Sequence, residues 1–331
     1  MALLQLPPEL LLHILGHLGF PFFAQDIRRL TLSKQWYDLA WPVFARDLQL
    51  KDKSLVRFTH DDAAAARSAP HLSTVQLRLH YDISKPLTHR NADAAYFSPG
   101  LTKLAAAVRR CPRMRSLDVE MRLGAMLDGW VELMAQPLAD LLFAGRLTSL
   151  TFDTANCLFK HTPGSGTHFC HSINSLLPSL RRLRCRMQSV CKSLLEPPPR
   201  DAPPLALEEV IVNLSISQIG HASTSYGYSN RCGDLFRIAF GQFKDAMEAQ
   251  ATALAARLRQ PRMVRVITHV FPSLDIYAFD ALTGKRVRLE NNIEWDAEGV
   301  AVDDAQRDGD ESDETDLFEG DLPSTPPFVV L

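Results

Sequence analysis

Five residues between positions 157 and 171 are of the types that bind metal: Cys157, His161, His168, Cys170 and His171. Thiolate and imidazole are the ordinary ligands of zinc, which takes four of them in a tetrahedron. Their spacing matches no standard finger, and Gly164-Ser165-Gly166 makes the intervening piece a flexible loop, so the expectation is a polar loop without metal and a chain without a cofactor. No residue pattern points to catalysis either. The chain has no Gly-x-Ser-x-Gly elbow, no phosphate loop and no His-Glu-x-x-His pair. Glu208-Glu209 reads as exposed acid at a strand entrance, and the chain is expected not to be an enzyme. The run Arg181-Arg182-Leu183-Arg184-Cys185-Arg186 is basic but lacks the interleaved aromatics of a nucleic-acid groove, so no nucleic-acid partner is expected.

The elements that position these residues must come from a chain of 331 residues, 46% of them apolar, which is enough for a substantial core. No run approaches the roughly 18 apolar residues of a membrane span, and the apolar N-terminus lacks the basic flank and cleavage site of a secretory signal. Cytoplasm and/or nucleus, with no membrane association, is the expected location. The six cysteines are spread irregularly, which fits reduced thiols and no disulfides. Charge is uneven: residues 296–331 hold twelve of the 38 acidic groups but one of the 36 basic ones, Arg307, leaving 35 basic and 26 acidic before them.

At the N-terminus, Pro7-Pro8 suits a helix start, because amides of the first turn lack acceptors anyway. Leu10, Ile14 and Leu18 recur at i, i+4 and i+8, with Leu11 and Leu15 one position round. That stripe is wider than one helix partner requires, so part of it must face something else. After Gly19 and Pro21, a short segment carries Ile27 and Leu30, and Ser33 can cap a further helix bearing Trp36, Leu39, Ala40, Val43 and Phe44. Leu6-Pro7, Glu9-Leu10, Ile14, Leu18, Ile27, Leu30, Ser33, Trp36, Leu39 and Leu48-Gln49-Leu50 together resemble an F-box, over residues 1–50. The resemblance implies a three-helix unit that binds the Skp adaptor, and through it a cullin, with Leu6, Pro7, Leu10 and Ile14 as adaptor contacts. Phe20, Phe22 and Phe23 depart from that family's polar linker.

Beyond residue 50 a pattern returns: an apolar residue, two others, an apolar residue, one other, an apolar residue. It occurs as Leu72/Val75/Leu77, Met114/Leu117/Val119, Leu147/Leu150/Phe152, Leu180/Leu183/Cys185, Leu207/Val210/Val212 and Leu274/Tyr277/Phe279, with a fainter copy at Ala45/Leu48/Leu50. Each period-two ending predicts a strand, and Asp93–Arg110, Leu127–Leu142 and Asp234–Leu258 predict helices between them. The expected fold is therefore α/β of repeat type, a parallel sheet with outer helices. This body, residues 51–295, resembles the irregular leucine-rich-repeat-like solenoid that often follows an F-box in fungal proteins. A compact α/β domain is the alternative. Near its end, Leu282-Thr283-Gly284-Lys285 predicts a hairpin that caps the open sheet edge. Residues 296–331 predict an acidic, disordered tail that either solvates or folds back on the basic body.

Alternation along the strands puts Asp118, Glu120, Asp153, Arg184 and Arg186 on the face opposite the apolar rows, an acidic patch beside a basic one, as the expected client-binding surface. With that surface, the F-box resemblance implies the substrate receptor of a Skp–cullin–F-box ubiquitin ligase with an unidentified client protein. The alternative is an F-box scaffold that works with the Skp adaptor without ubiquitin transfer.

Overall fold

The computed structural model describes residues 6–81, 87–123, 131–155, 157–160, 168–216, 228–232, 240–270, 275–290 and 294–302. The chain opens with α1 (Pro8–Gln25), whose first turn carries the proline. At Gly19 the backbone enters the left-handed region (φ 62°), which a residue with a Cβ resists; with Pro21 following, α1 bends there into two pieces. A 3₁₀ turn at Ile27–Leu30 comes next, closed after four residues by Thr31, whose amide and hydroxyl both donate to the Arg28 carbonyl. In α2 (Lys34–Arg46) the Ser33 hydroxyl accepts from the Trp36 amide at 3.1 Å, as the capping rule predicts. The unit is therefore two α-helices and a 3₁₀ turn where three helices were expected. Its core is Leu15, Phe23, Leu30, Trp36, Ala40 and Val43. Phe20 stacks on Phe44 with ring centroids 5.1 Å apart, so Phe20 and Phe23 belong to the packing between helices and not to a linker.

From α2 the chain runs into β1 (Asp47–Lys51), α3 (Asp52–His60), α4 (Asp62–Ser68), β2 (Thr74–Tyr81), α5 (Leu87–Val108), β3 (Ser116–Leu123), β4 (Val131–Met134), α6 (Ala135–Leu142), β5 (Ser149–Thr154), β6 (Cys157–Lys160) and α7 (Phe169–Asn174). Then follow β7 (Arg182–Met187), β8 (Ser189–Val190), a 3₁₀ turn at Lys192–Leu195, β9 (Glu209–Asn213), β10 (Asn230–Arg231), α8 (Phe240–Ala255), β11 (Met263–Val270), β12 (Asp275–Asp280), β13 (Lys285–Leu289) and β14 (Val300–Ala301). The fold is α/β, with eight α-helices among the described residues and one large, mostly parallel sheet of ten strands in the order β1-β2-β3-β5-β7-β9-β11-β12-β13-β14. The first seven pair parallel, and the last three return antiparallel. Two parallel ribbons, β4 with β6 and β8 with β10, stand apart from it.

The register aligns the apolar members of the sequence pattern into rows. Leu48, Val75, Leu117, Leu150, Leu183 and Val210 are neighbours in one row, and Leu50, Leu77, Val119, Phe152, Cys185 and Val212 in the next. Both rows are buried against Leu104 of α5, Leu138 and Leu141 of α6, Ile173 of α7 and Met247 and Leu254 of α8. Helices thus cover one face, as a parallel sheet requires, since each crossover between neighbouring parallel strands is long enough to hold one.

Three expectations need correcting. The copy at Leu274/Tyr277/Phe279 falls on antiparallel β12, with Leu274 outside the described residues; the next parallel strand is β11, whose Val264 and Val266 align with Val210 and Val212. Pro261 stands where the pattern's first apolar residue would be, so the segment Met263–Thr268, which follows the last predicted helix, falls outside the repeat pattern. In Leu127–Leu142 only Ala135–Leu142 is helical, because Val131–Met134 pairs with β6; residues 127–130 lie outside the described set. Residues 296–302, grouped with the disordered tail, continue a segment that lies against the sheet: Ala297, with Trp295 from the end of the body, packs on Ile211, Ile267, Ala278 and Leu289 of its second face. An apolar cover outweighs the local acidity there. Residues 303–331 lie outside the described set. The β12–β13 hairpin forms as predicted, with Gly284 at φ 69°.

His269 of β11 is 2% exposed, with the Tyr228 ring stacked at 4.1 Å and the Ser215 hydroxyl 2.8 Å from Nδ1. Burial lowers its pKa from 6.5 to about 4. The unfolded chain therefore takes up a proton that the fold refuses, so stability present above pH 6.5 should fall as pH drops towards about 4. Urea midpoints measured across that window should decline less in His269→Gln than in the parent protein.

Candidate protein-binding surfaces and a cysteine–histidine cluster

Asp118, Glu120, Asp153, Arg184 and Arg186 all lie on the sheet face away from the helices, where two polar rows run Gln76–Asp118–Thr151–Arg184 and Arg78–Glu120–Asp153–Arg186. Sequence alternation located them but not their partners. Arg186 makes a bidentate pair with Asp153 at 2.8 and 2.6 Å, Arg78 pairs with Asp118 at 2.8 Å and with Glu120, and Arg184 bridges Glu209 and Asp296 at 2.5 Å each. Exposure of the five side chains is 12–21%, so this is a set of ion pairs between strands and not the freely solvated surface that alternation implied. Burial pushes the Asp118 carboxyl up despite Arg78 beside it. Partial burial works the same way on Asp296, but the hydrogen bond and charge of Arg184 hold it below the usual carboxylate range.

The segment after β13 crosses this face at its Arg184–Arg186 end. Arg186 lies over the Trp295 ring at 5.1 Å, Asp296 takes Arg184, and the Ala297 carbonyl accepts from Arg265 at 2.5 Å. The chain's own C-terminal segment thus occupies the basic half of the expected client surface.

At the N-terminus, Leu11 and Leu15 are buried while Leu10, Ile14 and Leu18 stand on the open side of α1. Of the ten large hydrophobic residues that are exposed among those described, six lie between positions 10 and 32, which concentrates uncovered apolar surface on this unit. Pro7 is exposed at the helix start and Leu6 is half-buried.

The metal-type residues are regrouped. Cys157 sits on β6 with its Sγ 3.9 Å from the Met121 sulfur, His161 lies outside the described residues, and His171 packs edge-on against His168. His168 and Cys170 instead meet Cys191 and Cys232, and the four ligand atoms lie within 4.8 Å of one another. Cys170 and Cys232 sulfurs are 3.7 Å apart, and Cys191 Sγ is 3.5 Å from His168 Nε2. The last two cysteines directly follow β8 and β10, whose parallel pairing (Ser189 with Asn230, Val190 with Arg231) brings them side by side. A hydrogen bond with Cys170, then one with Cys232, holds the Cys191 thiol far below its ordinary range, and the contact with Cys191 raises Cys170.

No protein-family model matches the chain, and no curated protein matches it. No helix among the described residues is long and apolar enough to cross a membrane.

Removing one partner of a largely buried ion pair leaves the other charge uncompensated. Arg186→Glu should therefore cost about 1–3 kcal/mol, below the usual figure for fully buried pairs because some solvent reaches this one. The exchanged double variant Asp153→Arg with Arg186→Asp should recover more than half of that loss, read from urea unfolding midpoints.

Proposed function

We propose that the chain is an F-box substrate receptor: its N-terminal helical unit binds the Skp adaptor, which links it to a cullin, and its sheet body holds a client protein for ubiquitin transfer. The observation that carries this reading is the exposed row Leu10, Ile14 and Leu18 on a helix that is already packed through Leu11 and Leu15. A helix with two apolar sides needs a second partner, and the order of residues from Leu6 to Leu50 resembles the family whose partner there is the Skp adaptor. On this reading the body is an irregular leucine-rich-repeat-like solenoid. Seven parallel strands that follow one another across the sheet in chain order, and apolar rows that repeat from strand to strand, support it. The client surface is the outward face carrying Asp118, Glu120, Asp153, Arg184 and Arg186. Such a receptor needs no reactive side chain, because holding a client near a charged conjugating enzyme raises its effective concentration.

The test is affinity capture with the full chain. Leu10 and Ile14 are 52% and 37% exposed, so Leu10→Ala with Ile14→Ala should leave unfolding unchanged. As central interface residues they should each contribute about 2 kcal/mol to docking, roughly a thirtyfold loss of affinity per residue. Recovery of the Skp adaptor and cullin should drop to background, and undiminished recovery would sink the assignment.

A further inference from the structure

We propose that His168, Cys170, Cys191 and Cys232 bind one zinc ion as a structural Cys₃His site. Two of the six ligand-to-ligand distances match the edges of a zinc tetrahedron, and all six lie within 4.8 Å. With zinc–sulfur bonds of about 2.3 Å and a zinc–nitrogen bond of about 2.0–2.1 Å, ligand edges come to roughly 3.8 Å between sulfurs and roughly 3.5 Å between sulfur and nitrogen. The Cys170–Cys232 and Cys191–His168 edges are 3.7 and 3.5 Å. A disulfide is a different geometry, since bonded sulfurs lie about 2.05 Å apart.

The donor set selects the metal and its role. Three soft thiolates and one imidazole in tetrahedral array favour zinc over the oxygen-seeking cations, and four protein ligands leave no position for water or substrate. The site is therefore structural. Three thiolates around a divalent ion leave one negative charge. Lys192 and Arg231, the residues next to Cys191 and Cys232, line a common cavity beside it with Gln242 and Phe243 of α8.

The surroundings also call for a crosslink. The pieces that supply the ligands are short: β8 and β10 have two residues each, the 3₁₀ turn after Cys191 has four and α7 has six. Ribbons and turns of that length do not hold themselves. Asn174 ties α7 to the 3₁₀ turn through the Leu194 and Glu196 carbonyls, and the Cys232 segment is held by the Asn230 and Cys232 amides on the Gln188 and Val190 carbonyls at 2.8 and 3.2 Å and by Ser229. The competing arrangement is four neutral side chains packed as ordinary core. It leaves unexplained why three of the chain's six cysteines converge from separate segments while Cys111, Cys157 and Cys185 lie outside the cluster.

Full-length protein purified without chelator should contain about one zinc per chain by elemental analysis, and Cys191→Ser and Cys232→Ser should lose it while Cys111→Ala keeps it. Should either serine variant fail to fold, cobalt titration of the parent decides. Cobalt bands of a tetrahedral thiolate site that saturate at about one equivalent and disappear on zinc addition are expected. Parent protein with no zinc and no such bands overturns the proposal. So does metal retained by both serine variants, or a Cys170–Cys232 disulfide found by mass spectrometry of the native protein.

Discussion

A strand placed parallel to its predecessor cannot be reached by a tight turn, and most of this molecule follows from that restriction. Each crossover from β2 to β11 must travel back along the sheet, and the α-helices described in them lie on one side, against the two apolar rows headed by Leu48 and Leu50. Covering one face leaves the other to be satisfied by different means. Across β2–β7 the solution is ionic, with Arg78, Asp118, Glu120, Asp153 and Arg186 paired between neighbouring strands. Across β9–β13 it is apolar, with Ile211 and Ile267 roofed by Trp295 and Ala297. The change comes at Arg184, which reaches Glu209 on the strand side and Asp296 on the roofing segment.

How much of this the sequence reveals depends on whether one element or several make the feature. Alternation belongs to a single strand, so β1, β2, β3, β5, β7 and β9 and the outward position of the five charged residues were legible. The unbroken run Val210-Ile211-Val212 already marks a strand buried on both faces, a signal that strict alternation passes over. The partners of those charges were not legible, because pairing depends on register between strands that are 25 to 40 residues apart, as in Arg184–Glu209 and Arg78–Asp118. The antiparallel return reads as a further repeat because Tyr277 and Phe279 alternate as well as any parallel copy. Periodicity carries no strand direction.

The cysteine cluster is the extreme case. His168 and Cys170 share a helix start, and a scan for ligand spacing stops there. The remaining two ligands arrive through a two-residue parallel ribbon whose strands are 41 residues apart, Ser189 and Asn230, and no local pattern announces such a pairing. The two-residue strands look like loops in the sequence. The local signal is weak: Cys191 follows the end of β7 closely, and Cys232 stands alone in a polar stretch.

The two proposed binding surfaces are linked by the rigidity of the sheet. The helical unit continues directly into β1, and four inter-strand steps separate β1 from β7 in the sheet order, which at about 4.8 Å each sets Arg184 and Arg186 roughly 20 Å from that end. From β1 to β7 that spacing is built from backbone ladders and one core, while the helical unit packs on a core of its own and joins the sheet where α2 runs into β1. On the receptor reading, a client held by the outward face has a fixed position relative to β1, the strand into which the adaptor-binding unit runs. Charge adds selectivity to that position. Because the basic half of the face is already satisfied by Trp295 and Asp296, a client must offer an aromatic and an acid at comparable spacing to displace them, or bind the Arg78–Glu120 end alone. Internal pairing lowers the affinity of the face for arbitrary anions and leaves it responsive to a partner that reproduces the whole pattern.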